Sequence, residues 1–353
     1  MASNPTILDV AHRARVSVGT VSNVLNDRGN VSEGRRAKVV AAMSALGYVP
    51  NMSAQSLRGR ESHVIGLCTP VTGSAYFMAL LEMFESLAAQ QGYQLMQVIS
   101  HGDPALELRR VQALVGRNID GLILIPTHDA KASLELLAQR SIPAVVVDPV
   151  ILDPRFDHVA IDDRKAMRDA TAHVIALGHR RIAYFVRDPR LSVVQHRIHG
   201  FKDATSAARP AVTATIIQRN PSDDEFSVQV TEVLSLAKPP TVLIASNSAT
   251  ALLLVRILQQ RGMRWPDDIS LLAFDEPVWA QVVTPPLAVV RHPTQQIAAE
   301  AWNRLLLRLR EPGAPTTRTT LEAHLVSGPS LGPPRSARRR ALIAQPRTSK
   351  EGR

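Results

Sequence analysis

A run of short polar side chains between residues 17 and 26 is the first group whose types suggest a chemistry. Val21, Val24 and Leu25 have the spacing of one apolar helix face, so the polar residues would point away from it. Hydroxyl and amide groups there can hydrogen-bond to phosphate oxygens and base edges. An ordinary solvated helix face has a similar composition, and that alternative stays open. The polar residues are Ser17, Thr20, Ser22, Asn23 and Asn26.

Residues that could serve catalysis or bind a metal form no known motif. The sequence lacks the glycine-rich nucleotide-binding patterns, HExxH and GxSxG. His196 and His199 lie three residues apart, with no third ligand nearby. Cys68 is the single cysteine, so an internal disulfide and a Cys-based zinc site are excluded. Its apolar surroundings, HVIGLCT, favour a packed thiol. We therefore expect no cofactor, no metal site and no enzyme activity.

The positive charge is concentrated at the two ends of the chain. Of a formal net charge of +10, residues 1–60 carry eight Lys and Arg against three acids, and residues 331–353 carry seven against one. The middle of the chain is close to neutral. This distribution favours a polyanionic partner that is contacted through the ends, although a solvated surface explains the tail equally well.

Composition excludes several classes of protein. The chain has 353 residues, enough for two or three domains, and its 45% hydrophobic and 20% charged content is typical of a globular protein. No apolar run is long enough to span a membrane. The N-terminus, MASNPTILDVAHRAR, lacks the features of a secretory signal. We expect a cytoplasmic protein with no membrane partner.

Periodicity predicts a small helical unit followed by α/β architecture. Residues 6–46 are expected to form three short helices, with Thr6 and Ser32 as N-caps and Gly47 ending the third. From His63 onward, strand candidates alternate with amphipathic stretches, which predicts two doubly wound parallel-sheet subdomains. The final strand candidate is 318–325. The last residues, 329–353, contain few large apolar side chains and are expected to be disordered. The strand candidates are 63–69, 94–99, 120–125, 143–148, 158–161, 181–186, 212–217, 241–246, 269–274 and 287–291.

Three motifs in the first 57 residues resemble the lactose-repressor family of bacterial transcription regulators. They are VSxxTVSxVLN, the later VSxxxRxxVxxAMxxLGYxPN, and the Ala-Gln-x-Leu segment. The resemblance implies a helix-turn-helix headpiece over 1–50, a hinge helix and linker over 51–61, and an effector-binding and dimerisation core over 62–328. The core would resemble periplasmic binding proteins, with the chain crossing between subdomains near 162, 291 and 320. Residues 329–353 would then be a basic tail.

The resemblance also assigns DNA-binding roles. Base-reading positions fall on Val18, Gly19 and Asn23, of which Asn23 can pair with an adenine edge and Val18 can touch a thymine methyl. Gly19 has no side chain, so DNA shape is expected to contribute more of the specificity. Leu57 matches the hinge leucine that enters the minor groove. The positions that match phosphate contacts are Ser17, Thr20, Ser22 and Asn26.

The effector pocket is likewise implied by the resemblance. Most of the matching positions follow predicted strands, where open α/β sheets bind ligands. The donors of Arg197 and the acceptors of Asp275 suit adjacent hydroxyls of a sugar or nucleoside. Ser248 and Glu276 depart from the family's usual residues, so the identity of the ligand stays open. The matching positions are Tyr76, Phe77, Asp162, Arg197, Asn247 and Asp275.

These observations together predict a sequence-specific repressor. It would bind a palindromic site on double-stranded operator DNA as a homodimer, under the control of a small carbohydrate-like effector, and it would associate with the nucleoid when bound. Two alternatives share the core fold or scaffold. A solute-binding protein of a transport system would need an export signal and would not use residues 1–60, and an α/β enzyme would need one of the missing motifs.

Overall fold

The computed structural model describes residues 5–25, 29, 31–49, 62–70, 74–148, 152–220 and 222–335. The chain divides into two compact units, Met1–Ser62 and His63–Arg353. Several sequence predictions lie outside the described residues, namely Asn26, Leu57, the hinge over 51–61, and the tail beyond residue 335.

The first unit contains three helices, α1 Ile7–Ala14, α2 Val18–Leu25 and α3 Glu33–Leu46. Thr6 starts α1 through a capping box with Asp9, in which each side chain bonds the other residue's backbone N–H. Gly47 ends α3 in the left-handed conformation at φ 60°, where a side chain would be strained. Val10, Val21 and Val39, one from each helix, are fully buried and form the centre of the small core.

Two sheets form the second unit, and each has six strands among the described residues. The first has the order β11-β5-β4-β3-β1-β2, and all its pairs are parallel. Its helices are α4 Ala75–Gln90, α5 Pro104–Val115, α6 Lys131–Gln139 and α11 Thr294–Arg310. Its strands are β1 Val64–Thr69, β2 Gln94–Ile99, β3 Gly121–Leu124, β4 Ala144–Val147, β5 Asp157–Ile161 and β11 Arg318–Leu321.

The second sheet has the order β12-β10-β9-β8-β6-β7, parallel except for β12. Its helices are α7 Asp163–Ala176, α8 Ser192–Ala207, α9 Asp223–Leu234 and α10 Ser248–Gln260, with a short 3-10 helix at Val278–Gln281. Its strands are β6 Arg181–Val186, β7 Thr213–Gln218, β8 Val242–Ala245, β9 Ser270–Phe274, β10 Ala288–Arg291 and β12 His324–Val326.

Helices cover both faces of each sheet, as the sequence predicted. In the first sheet, Ile65 and Leu67 pack into the cluster with α4 and α11, whereas Cys68 packs on the opposite face with α5 and α6. In the second sheet, Tyr184 likewise packs on one face and Phe185 packs on the opposite face. Successive strand residues point to opposite faces, and both faces are apolar, which explains why these strands are continuous hydrophobic runs.

The predicted strand over 318–325 is in fact two strands in different sheets. β11 pairs with β5 in the first sheet, and β12 pairs antiparallel with β10 in the second. The chain also passes between the sheets after β5 and after β10, and α11 packs on the first sheet. Three segments of the chain therefore connect the two subdomains. Periodicity could not locate the break, because pairing with distant strands decides the sheet to which each half belongs.

The prediction of disorder from residue 329 is wrong for 329–335. Ser330 is fully buried, and its hydroxyl donates to the Leu271 carbonyl (2.7 Å) and accepts from the Ala288 N–H (2.7 Å). His179 Nε2 lies 2.9 Å from the Gly332 carbonyl oxygen. Hydrogen bonds to the amino-terminal ends of β9 and β10 hold this segment, so apolar content was a poor guide to its order.

Candidate ligand cavity and nucleic-acid interface

The polar face of α2 is accessible in the headpiece. Ser17, Val18, Gly19 and Asn23 are exposed, and Thr20 and Ser22 are half-buried. Val21 and Val24 of the same helix are buried. The predicted contact positions and the predicted core positions thus occupy different faces of α2, while Asn26 and Leu57 are not described.

Ser17 also fixes where α2 begins. Its hydroxyl accepts a hydrogen bond from the Thr20 backbone N–H (3.1 Å) and lies 2.9 Å from the Thr20 hydroxyl. This is the geometry of an N-cap, which satisfies one of the free donors of the first turn. Val18 and Gly19 therefore lie in the first turn, where the exposed backbone N–H groups favour an anion such as phosphate.

Five of the six residues predicted for the effector pocket line one cavity of about 380 Å³ in the second unit. Tyr76 and Phe77 begin α4, Asn247 caps α10, and Asp275 directly follows β9. Both subdomains contribute to the walls, at the carboxyl ends of their parallel strands, which is where such sheets bind ligands. The five residues are Tyr76, Phe77, Arg197, Asn247 and Asp275.

Arg197 is buried and held by protein groups on three sides. Its Nε donates to Asp163 Oδ1 (2.6 Å) and its Nη1 donates to the Ser246 carbonyl (2.9 Å). The guanidinium carbon lies 3.7 Å from the centre of the Phe274 ring. Burial opposes the charge, but the nearby carboxylates, chiefly that of Asp163, outweigh it and raise the pKa of Arg197. Arg197 is thus a preorganised cation, and the protein already uses two of its nitrogens.

Asp162, the sixth predicted residue, does not line this cavity. It is exposed and caps α7, where its side chain accepts from the Lys165 N–H (2.8 Å), and it lines a separate cavity of about 570 Å³. The neighbouring Asp163 is 4% exposed and pairs with Arg197. The role of Asp162 as an effector contact stays a prediction that this cavity does not support, since sequence alone could not distinguish the carboxylate that caps the helix from the one that pairs with Arg197.

Asp275 lies among donors at the end of β9. Its Oδ1 is 3.0 Å from His292 Nε2, and its Oδ2 accepts from the Ser248 N–H (3.3 Å). Burial favours the neutral acid, but His292 and Arg197 outweigh it and hold the pKa of Asp275 below its ordinary value. Asp275 is therefore an ionised acceptor on the cavity wall.

Asp148 lines the cavity and His292 contacts the lining residues Tyr76 and Asp275, and sequence reasoning identified neither. The Tyr76 hydroxyl donates to Asp148 Oδ2 (2.7 Å), and the Tyr76 ring stacks on His292 with 4.3 Å between ring centres. Burial raises the pKa of Asp148 to about 6. Asp148 directly follows β4 as Asp275 follows β9, and both have positive φ, at 51° and 72°. Strand-end position was the pattern that could have identified Asp148.

Two of the buried polar atoms that have no hydrogen-bond partner among the described residues belong to residues that line the cavity. They are the Ser246 hydroxyl and Asp148 Oδ1. A buried polar atom without a partner is costly unless water or a ligand satisfies it. These atoms are consequently candidate ligand contacts.

The other residues considered for chemistry lie elsewhere. His196 and His199 are exposed on α8, and the described parts of the chain contain no cluster of three or more possible metal ligands. Cys68 is fully buried in β1, and burial raises the pKa of its thiol to about 12. It is a packing residue, since a reactive thiol needs a depressed pKa and access.

Comparison with known proteins now decides the family. Residues 6–51 match the model described as bacterial regulatory proteins, lacI family, and residues 171–331 match a periplasmic binding protein-like domain. The HTH-type transcriptional regulator DegA of Bacillus subtilis is 31% identical over 300 residues, which cover 84% of this chain and 88% of that protein. The chain belongs to the LacI family.

Other LacI-family relatives cover nearly the whole chain. The ribose operon repressor of Haemophilus influenzae is 29% identical over 92% of this chain and 98% of its own length. The HTH-type transcriptional repressor PurR of Vibrio parahaemolyticus is 29% identical over 87% of this chain and 92% of its own. These relatives are transcriptional regulators and not enzymes, which confirms the prediction that this LacI-family chain is not an enzyme.

Solved structures confirm the fold expected of a LacI-family protein. The Lac repressor dimer bound to operator and the anti-inducer ONPF superposes with a TM-score of 0.81 at 24% identity, over 94% of this chain and 100% of that one. A LacI-family regulator from Silicibacter pomeroyi gives 0.80 at 24% identity, over 93% and 99%. In the ranges that the structure describes, no helix is both long enough and apolar enough to cross a membrane.

Proposed function

We propose that this LacI-family chain is a transcriptional repressor that binds a palindromic operator as a homodimer and responds to a small-molecule effector. The observation that carries the proposal is the accessible polar face of α2, with Ser17 capping the helix and Asn23 exposed. The polar cavity in the second unit would bind the effector that regulates the protein. Binding to chromosomal DNA would place the protein in the cytoplasm.

Exposed apolar side chains on the second unit support a dimer. Met78, Leu252 and Val278 are 48%, 48% and 87% exposed, and they line one groove of about 610 Å³ together with Trp279. Contiguous exposed apolar surface of this kind is characteristic of protein interfaces. A two-fold dimer would present two headpieces to two half-sites, which is why we propose a palindromic operator.

A hydroxylated effector fits the cavity best. Asp275 offers acceptors, Arg197 and Asn247 offer donors, and the Ser246 hydroxyl is unpartnered. Glu276, one of the departures from the family's usual residues, pairs with Arg291 and does not line this cavity. It therefore leaves the hydroxyl contacts of Asp275 intact. Ser248, the other departure, does line the cavity and donates its backbone N–H to Asp275.

Regulation would act through the contacts that join the subdomains. Tyr76 of the first subdomain bonds Asp148 and stacks on His292, which in turn lies against Asp275 of the second. A ligand that prefers one arrangement of these groups changes operator affinity by the same factor by which operator changes ligand affinity. Leu57, which lies outside the described residues, stays the predicted hinge leucine that would enter the minor groove of the operator.

The test is selection of genomic DNA by the full-length protein, followed by binding measurements on the recovered site. Asn23→Ala should relax the preference at one base pair per half-site and cost about 1–3 kcal/mol, whereas Ser44→Ala, an exposed control in α3, should not. Leu57→Ala should weaken specific binding and spare binding to random DNA. Recovery of no symmetric site would refute the repressor and favour a solute-binding role.

A further inference from the structure

The charge of the ligand cavity is divided along its depth. At the inner end, the lining residues Arg197 and Asp275 are 7% and 6% exposed, and Asp163, which pairs with Arg197 but does not line the cavity, is 4% exposed. Carboxylates therefore outnumber the guanidinium there. At the outer end the lining residues are mainly basic or imidazole side chains. These are His101, His128, Arg187 and Arg190.

The outer side chains come from both subdomains. His101 and His128 follow strands β2 and β3 of the first sheet, and Arg187 directly follows β6 of the second. Asp188 lies among them, but Arg190 holds both of its oxygens, with Nε to Oδ1 at 3.0 Å and Nη2 to Oδ2 at 2.8 Å. Those bonds hold the pKa of Asp188 low, and His128 adds to the effect across the cleft.

Arg187 is the cation left available. It is exposed, and no ion pair or hydrogen bond joins its side chain to the residues that the structure describes. Two helix N-termini line the same cavity. The N-cap residue of α4, Ser74, makes no side-chain cap, and that of α8 is Leu191, which has no acceptor; both line the cavity. Helix N-termini whose N-cap residues make no side-chain cap, together with a free guanidinium, favour an anion.

The inner end requires a different chemistry. The Ser246 hydroxyl is 1% exposed and unpartnered, and Asp148 Oδ1 is likewise unsatisfied. Ionised Asp275 beside them accepts hydrogen bonds but repels anions. Hydroxyl groups satisfy these atoms without adding charge. A second anionic group at this end would be unfavourable.

We propose that the effector is a polyhydroxyl compound that carries one anionic group, a phosphate monoester or a carboxylate. Its hydroxyls bind Asp275, Arg197 and Ser246, and its anion binds Arg187 at the outer end, between the two subdomains. This inference rests on the proposed function, since it concerns the same effector cavity. It adds that a neutral sugar is the weaker ligand.

The test is calorimetry on the full chain with matched pairs: ribose against ribose 5-phosphate, glucose against glucose 6-phosphate, and glucose against gluconate. Inorganic phosphate against chloride at equal ionic strength probes the anion position alone, by its effect on the melting temperature. We expect the anionic member of at least one pair to bind about tenfold or more tightly than its neutral partner. Phosphate should raise the melting temperature saturably, and chloride should not.

Arg187→Gln is the decisive variant, with Arg117→Gln, exposed and outside the cavity, as its matched control. Arg187→Gln should abolish the preference for the anion and the phosphate effect, and Arg117→Gln should retain both. A gluconate preference would assign the anion as carboxylate, and a sugar phosphate preference would assign it as phosphate. Equal affinity within every pair, or a phosphate effect that survives Arg187→Gln, would overturn the proposal.

Failure of this inference and failure of the proposed function give different results. Calorimetry and melting require no DNA, so an absent anion preference leaves operator binding untouched. Conversely, if the protein binds anions through Arg187 but recovers no symmetric DNA site, the ligand proposal is supported and the repressor proposal is refuted.

Discussion

The buried ion pair between α7 and α8 allows a quantitative test of the site. Asp163 and Arg197 are joined at 2.6 Å with side chains only 4% and 9% exposed. Removing one partner of such a pair typically costs about 3–5 kcal/mol, because it leaves a buried charge uncompensated. In Asp163→Asn, Asp275 and the Ser246 carbonyl still face Arg197. We therefore expect a loss near the lower end, about 3 kcal/mol.

The assay is urea and thermal unfolding of the full chain. At roughly 2–4 °C per kcal/mol for a domain of this size, the melting transition of the second unit should fall by about 6–12 °C. The same two helices provide a matched control. Arg164 of α7 and Asp203 of α8 form an exposed pair at 2.7 Å. Asp203→Asn should change the transition little, since exposed ion pairs contribute little to stability.

Comparable shifts for the two variants would refute this reasoning. They would mean that burial does not distinguish the pairs, and that Arg197 is stabilised chiefly by the Ser246 carbonyl and the Phe274 ring. Arg197 would then be a weaker constraint on the cavity wall than its geometry indicates. Effector affinity measured on the same variants separates the two roles, because an intact fold with lost affinity points to ligand contact.

Three further predictions follow from single contacts. Burial raises the pKa of Asp148 to about 6, so its protonation stabilises the native state below the unfolded pKa near 4, and this contribution is lost as pH rises through 6. Between pH 4 and 7, the free energy of unfolding of the parent chain should therefore fall by about 2–3 kcal/mol relative to that of Asp148→Asn in urea titrations. Parallel pH profiles for the two proteins would contradict this. Gly200→Ala places a Cβ 2.1 Å from the Arg164 carbonyl oxygen and should abolish or strongly destabilise folding by melting, whereas Gly34→Ala meets nothing within 4 Å and should be tolerated. Deleting 336–353 should leave the melting temperature unchanged, while deleting 329–353 should lower it by several degrees, because Ser330 is removed; equal effects would show that 329–335 contributes nothing.

The fold was largely accessible from sequence because its patterns are local. The parallel strands are short apolar runs between amphipathic stretches, and most predicted ends fall within a residue or two of the observed ones, as for β6 at Arg181–Val186. The errors arose where pairing with distant parts of the chain determines the structure. The segment 318–325 divides between two sheets, and residues 329–335 are ordered by hydrogen bonds to distant backbone groups, which no local periodicity contains.

The site was accessible in part, and the resemblance supplied most of it. Five predicted residues share one cavity, but composition and spacing alone did not single them out. The resemblance selected Asp162, which caps a helix, whereas the adjacent Asp163 is buried and pairs with Arg197. Asp148 and His292 escaped notice because their roles depend on Tyr76, which lies over 70 residues from either in the chain.

The two subdomains follow the same local plan at the cleft. In each sheet a buried strand ends, the next residue is an aspartate with positive φ, and its carboxylate faces the cavity: Asp148 after β4 and Asp275 after β9. A non-glycine residue in that conformation costs about 1 kcal/mol or more, so other contacts must offset this cost at both aspartates. Tyr76 compensates one aspartate by donating to it, and His292 lies against the other. Because the Tyr76 ring stacks on His292, a ligand that hydrogen-bonds either carboxylate alters a contact shared by both subdomains.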